Sequence, residues 1–168
     1  VRLAQADHAM TDTRIRIVQP NIPQSDKWRG DNMQAIFDKL LALSARAAPP
    51  DSRPDVIVWP ESAVPYLLDE SPESLSLIGD LLGPRRLLIT GSLRRLGEQP
   101  APRPEDTVFN SVMAIDGNGR VVGLYDKWKL VPGGEFLPFE TLLSSLGFRR
   151  VVTLPGSFAA GPGPHRVL

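Results

Sequence analysis

An α/β fold built on a mixed sheet is what these 168 residues predict, on three observations. Short apolar runs at 14–18, 56–59 and 87–91 read as strands, and amphipathic segments separate them. Two further strand-like runs, 108–115 and 120–125, are joined by residues that favour a tight reversal. Strand–helix–strand alternation places a parallel sheet beneath helices, and the hairpin adds antiparallel strands to it.

The elements follow in order. Arg14-Ile15-Arg16-Ile17-Val18 alternates, then stops where Pro20 and Pro23 forbid a central strand. Asp31 with Gln34 three residues on has the pattern of a capping box. Met33, Ile36, Phe37, Leu40 and Leu41 then form one helical face, expected to run to about Ala47 and to end at Pro49-Pro50. The run from Val56 to Trp59 is apolar at every position, as in a strand covered on both faces. Ser71-Pro72-Glu73 starts a second helix with proline at its first position. Leu75, Ile78 and Leu81 supply its face, and Gly83-Pro84 stops it. Leu87 to Gly91 is the next buried strand, and the polar, proline-rich 96–104 is a surface loop. Asp116-Gly117-Asn118-Gly119 is hairpin chemistry, because these residues tolerate positive φ. A short amphipathic helix is expected from Phe139 to Leu146, and from Val151 onward the chain reads as loop. Residues 1–13 read as a linker and 14–168 as a single domain, a size consistent with one hydrophobic core.

Composition excludes several classes. Apolar content of 42% with 23% charged residues describes a globular chain rather than a disordered one. The net charge of zero leaves no overall footprint for nucleic acid or anionic lipid. The absence of cysteine removes disulfides and thiolate metal sites. No apolar run is long enough to cross a bilayer, and no charged leader precedes an apolar stretch. The chain begins at Val1 and is read as part of something longer. His8 and His165 stand beside no carboxylate motif, so no metal site is expected, and no cofactor either. A G-x-S-x-G elbow is missing. The prolines of Gly161-Pro162-Gly163-Pro164 lack the N–H groups a phosphate cradle needs. Arginine pairs at 85–86, 94–95 and 149–150 read as solvated surface, with contact to lipid headgroups as the second reading.

Three residues can carry chemistry together. Glu61 follows the apolar run Val56-Ile57-Val58 through Trp59-Pro60, at the carboxyl end of a strand, where open α/β sheets hold their sites. Lys127 follows the hairpin in Tyr125-Asp126-Lys127-Trp128-Lys129. Only 4 of the 19 basic residues are lysines, and two of the four lie in that stretch. Glu135 comes shortly after. Taken singly, each reads as a solvated charge, or in the case of Glu61 as a helix cap. Taken together, a carboxylate can remove a nucleophile's proton and an ammonium can stabilise a tetrahedral oxyanion.

These segments resemble the nitrilase (carbon–nitrogen hydrolase) superfamily. Within it they are most similar to the apolipoprotein N-acyltransferases, through Val56 to Ala63, Tyr125 to Lys127, Leu130-Val131-Pro132 and Gly134-Glu135-Phe136-Leu137-Pro138. Val18-Gln19-Pro20-Asn21-Ile22-Pro23-Gln24 with Lys27-Trp28, and Phe109-Asn110-Ser111, add to the likeness, which runs from about Arg14 to the end. The resemblance implies an αββα sandwich and a Glu–Lys–Cys triad. It also implies transfer of an acyl chain from a phospholipid, through a cysteine thioester, to the diacylglyceryl cysteine at a lipoprotein's N-terminus. Glu61 would be the general base, Lys127 the oxyanion stabiliser and Glu135 a supporting glutamate, with Trp28 and Asn110 as substrate-binding candidates.

The implied setting is the bacterial inner membrane, with the domain facing the periplasm and the membrane reached through helices outside this chain. Two departures stand out. Gly133 occupies a position where the family more often has phenylalanine. The nucleophilic cysteine is absent, which is read as truncation of the domain on its C-terminal side, so the chain alone is expected to be inactive. Two alternatives remain open: a soluble amidohydrolase of the same superfamily, and a non-catalytic descendant that binds lipid or a partner.

Overall fold

The computed structural model describes residues 11–49, 52–95, 107–132, 135 and 157–164. The linker before residue 11, the loop 96–104, Gly133, the helix expected from Phe139 to Leu146, and both histidines lie outside the described residues.

Among the described residues six strands form one mixed sheet, β1 (Ile15–Ile17), β2 (Val56–Val58), β3 (Leu87–Arg95), β4 (Thr107–Ile115), β5 (Val121–Asp126) and β6 (Ser157–Phe158). β1, β2 and β3 pair in parallel with Ile15 opposite Val56 and Val56 opposite Leu87. β3–β4 and β4–β5 are antiparallel, and β6 joins β4 in parallel at Thr107 and Val108. The α/β class and the mixed sheet expected from the sequence are both present.

Two helices, α2 (Met33–Ser44) and α3 (Pro72–Leu82), cover one face of the sheet. Ile36, Phe37 and Leu40 of α2 and Ile78 and Leu82 of α3 meet Ile57, Leu88, Met113 and Ile115 in one buried cluster. Every one of these side chains is at most 4% exposed, so this layer supplies the hydrophobic driving force of the described residues. The opposite face is apolar but open. Ile15 and Ile17 are 61% and 79% exposed, and Val56 and Val58 are only half-buried. Among the described residues β2 is therefore covered on one side rather than on both, and those residues form one sheet with helices on one face.

Several local expectations are corrected. A short helix, α1 (Gln24–Lys27), and a 3-10 turn (Gly30–Asn32) precede α2. Asn32 rather than Asp31 is the cap residue of α2, and no side-chain capping bond forms. The carboxylate of Asp31 pairs with Arg29 instead, and Gln34 bonds Asp38, so a nearby guanidinium outcompetes the free N–H groups. α2 ends at Ser44, three residues early, where Ser44 Oγ donates to the Leu40 carbonyl. In α3 the buried stripe runs through Ser74, Ile78 and Leu82 rather than Leu81. Gly83 follows it with φ +61°, a left-handed stop that glycine adopts without strain.

Candidate active site

Glu61 is positioned by a turn laid across β3. Trp59 N–H donates to the Ile89 carbonyl, Gly91 N–H to Pro60 and Ala63 N–H to Gly91, so the chain stays bonded to β3 beyond the end of β2. Between those bonds Ser62 turns out with φ +46°. Gly91 makes this approach possible, because a Cβ there would stand 2.6 Å from Glu61 Cα and 2.8 Å from Ser62 N. Trp59 anchors the other side. It is 3% exposed, donates from Nε1 to Ser44 Oγ at 2.8 Å and stacks edge-on against Phe37.

Lys127 is set by the hairpin strand before it. Its backbone N–H donates to the Asn110 carbonyl, and its own carbonyl accepts from Gly161 N–H. The residue before it, Asp126, is buried and takes Arg94 Nη2 at 2.7 Å and Ser111 Oγ at 2.6 Å. Neighbours on both sides thus fix the backbone from which the lysine extends.

The structure brings four sequence-selected residues together. Lys127 Nζ lies 2.9 Å from Glu135 Oε1 and 3.8 Å from Glu61 Oε1. Asn110 Nδ2 donates to both carboxylates, at 2.5 Å to Glu61 and 2.9 Å to Glu135. Carboxylate oxygens only accept, so the amide must turn its NH₂ toward them. The NH₂ group of that amide is committed, so Asn110 bridges the two acids while it also borders an open cavity beside Glu61. Glu135 also accepts the Val131 N–H at 2.8 Å. Burial would raise its pKa, but the bonds from Asn110, Lys127 and Val131 outweigh burial and hold the carboxyl below its ordinary range. Glu135 is thus a fixed anion.

Glu61 differs in exposure. Its side chain is 67% exposed, against 10% for Glu135, and among the described residues its Oε2 has no hydrogen-bond partner. An open cavity of about 360 Å³ lies beside it on the uncovered face of the sheet. Val58, Ile89, Gly91, Asn110, Tyr125 and Lys127 contribute to its walls.

Trp28 does not line that cavity. It follows α1, half-buried, with Lys27 Nζ 5.7 Å from its ring centre. Lys27 is the residue the motif reading passed over. Its ammonium donates to the Glu61 carbonyl at 3.2 Å, and burial pulls its pKa down although Glu61 opposes this. The signal was its place beside Trp28 in a chain with so few lysines. Arg94 and Ser111 were also missed, since nothing local couples either of them to Asp126. No cluster of metal-ligating side chains occurs among the described residues.

The family model for carbon–nitrogen hydrolases matches residues 14–164. The chain belongs to the carbon–nitrogen hydrolase family. It is 47% identical over 152 residues to an apolipoprotein N-acyltransferase of Brucella suis biovar 1 (strain 1330), covering 90% of this chain and 28% of that protein. A second apolipoprotein N-acyltransferase, from Rhizobium rhizogenes (strain K84), is 46% identical over 150 residues, covering 87% and 27%. The chain therefore spans under a third of the length of these curated relatives. Among solved structures, an amidase from Nesterenkonia sp. is 17% identical with a TM-score of 0.47, covering 72% of this chain and 44% of that one.

Proposed function

We propose that residues 14–168 form the N-terminal part of the catalytic domain of an apolipoprotein N-acyltransferase, with residues 1–13 as its entry linker. The observation that carries this reading is the shared network in which Asn110 and Lys127 each contact both Glu61 and Glu135. The names of the relatives support the choice of acyl transfer over hydrolysis.

In this reading a cysteine from outside these residues approaches the open cavity, and Glu61 Oε2 takes its Sγ proton. The thiolate attacks the ester carbonyl of a phospholipid, and Lys127 stabilises the oxyanion while Glu135 holds the ammonium in place. The C–O ester bond breaks, the lysophospholipid oxygen recovers the proton from Glu61, and the acyl chain remains as a thioester. The α-amine of a lipoprotein's diacylglyceryl cysteine then attacks that thioester. The C–S bond breaks, an amide forms, and the amine's proton returns through Glu61 to the thiol. Asn110 positions both carboxylates, and Trp28 flanks the lipid entrance through its contact with Lys27.

The setting is the bacterial inner membrane, with the site on the periplasmic side. Among the described residues no helix is long and apolar enough to cross a membrane, and in this reading the spanning helices belong to other parts of the protein.

The test uses the full gene product that carries these residues, incubated with phospholipid and a diacylglyceryl peptide. Glu61→Gln and Lys127→Ala should each lower turnover by about 10²–10³, with folding retained by circular dichroism. Near-native turnover in either variant refutes the role assigned to that residue, and release of free fatty acid in place of amide refutes the acyltransferase reading. The cysteine-free chain alone should form no thioester, and a measurable acyl-transfer rate from it would overturn the division of labour.

A further inference from the structure

The parallel strands have a second end. At the amino ends of β1, β2 and β3, where α2 and α3 finish, an open cleft of about 730 Å³ is lined by Arg14, Arg16, Arg46, Arg53, Arg85 and Arg86. The sequence scatters these arginines over more than 70 positions, and the βαβ crossovers gather them.

Their bonding divides them. Arg16 Nη1 donates to the Ser44 carbonyl, and Arg86 donates through Nη2 to Leu81 at 2.7 Å and through Nε to Leu82. These two guanidinia satisfy free carbonyls at helix ends, where the macrodipole favours a cation. The side chains of Arg14, Arg46, Arg53 and Arg85 are exposed and make no hydrogen bond or ion pair among the described residues. Among the described residues one carboxylate lines the cleft. Asp55 Oδ2 accepts the Arg14 backbone N–H at 2.8 Å and leaves the guanidinium free.

Six guanidinia against one carboxylate, in a concave site on a chain of zero net charge, is a local excess of positive charge. Guanidinium forks match tetrahedral oxyanions with paired N–H bonds. A phosphate group offers lone pairs to several forks at once, whereas a single carboxylate serves only one or two.

We propose that this cleft binds a phosphate-bearing anion. The phosphate belongs either to a soluble ligand or to the headgroup of an anionic lipid, and the site stands apart from the Glu61–Lys127 network at the opposite strand ends. Arg46 and Arg85 make the contact, and Arg16 and Arg86 neutralise the helix-end carbonyls that would otherwise repel it.

The test uses the intact chain with pyrophosphate as the probe in isothermal titration at physiological ionic strength. Saturable binding of one pyrophosphate is expected. R46Q and R85Q should each weaken it about tenfold or more, while R120Q, on the β4–β5 hairpin, should leave it unchanged. Arg46 and Arg85 hold nothing in the fold, so their variants test binding rather than folding. A measurement without substitution stands beside them: pyrophosphate should protect Arg46 and Arg85 from phenylglyoxal, read by mass spectrometry. Flotation with phosphatidylglycerol vesicles against phosphatidylcholine vesicles separates the sources. Selective, pyrophosphate-competed flotation assigns the lipid headgroup, and pyrophosphate binding without flotation assigns a soluble ligand. The proposal is overturned by absence of saturable binding to either probe, by equal binding in R46Q and R85Q, or by absence of protection.

Discussion

The two ends of the parallel strands handle charge in opposite ways. At the carboxyl ends Glu61, Glu135, Lys127 and Asn110 form a connected set in which each charged group faces a partner. At the amino ends six arginines face one aspartate, and four of their guanidinia bond nothing among the described residues. The zero net charge of the chain conceals both arrangements. Paired charges at fixed distances can perform chemistry, because their geometry is settled before a substrate arrives. Unpaired cations in a cleft attract an anion, but they have no internal geometry to impose. Substitutions at the paired end should therefore cost stability and activity, and substitutions at the unpaired end should cost neither.

The largest expected effect tests what holds the paired end in place. Trp59→Ala removes a buried ring with its bond to Ser44, and should lower unfolding free energy by about 3–5 kcal/mol in urea titration. A loss near zero would mean that the Glu61 turn is held by β3 alone. Gly91→Ala comes next. Its Cβ would meet the Glu61 backbone, which cannot yield as a flexible side chain would, so a cost of about 1–3 kcal/mol is expected. Glu61 would be displaced with it, and turnover of the full gene product should fall. Asn110→Leu deprives both carboxylates of their shared donor and should cost about 1–3 kcal/mol.

The pH dependence sharpens the same contrast. Glu135 is held below its ordinary pKa of 4.5, so its contribution to stability is complete above that value. It is lost as pH falls through the lower folded value, when the protonated carboxyl can no longer accept three bonds. Stability measured between pH 5 and 3 should therefore drop more steeply in the native chain than in Glu135→Gln. Parallel slopes would show that the network does not hold Glu135 ionised. The smallest effect belongs to the other end, where R46Q and R85Q should each change stability by no more than about 0.5 kcal/mol. A larger loss there would mean that those guanidinia have partners after all.

Legibility in the sequence followed the range of the interaction. Pro72 and Gly83 bracket α3 because capping and proline effects act within a turn, and Asp116 to Gly119 closes the β4–β5 hairpin for the same reason. The capping box at Asp31 failed because Arg29, two residues away, offered that carboxylate a better partner. Glu61, Lys127 and Glu135 could be picked out from their strand-end positions and from family resemblance. The role of Asn110 could not, since its two acceptors lie 49 and 25 residues away and meet only when β4 is paired.

By itself the sequence determined where β1 to β5, α2, α3 and the hairpin form, but not α1 or β6, whose Ser157–Phe158 falls in a stretch read as loop. It also determined that no thiol is present, and which few acids and amines were candidates for chemistry. Those outcomes rest on backbone preferences and side-chain periodicity, which operate over a few residues. Only the tertiary structure decided that Asn110 ties two carboxylates to one ammonium, that Gly91 leaves room for the Glu61 turn, and that widely spaced arginines share a cleft. Each of these depends on strand register and crossover geometry, which bring together groups that no local pattern couples.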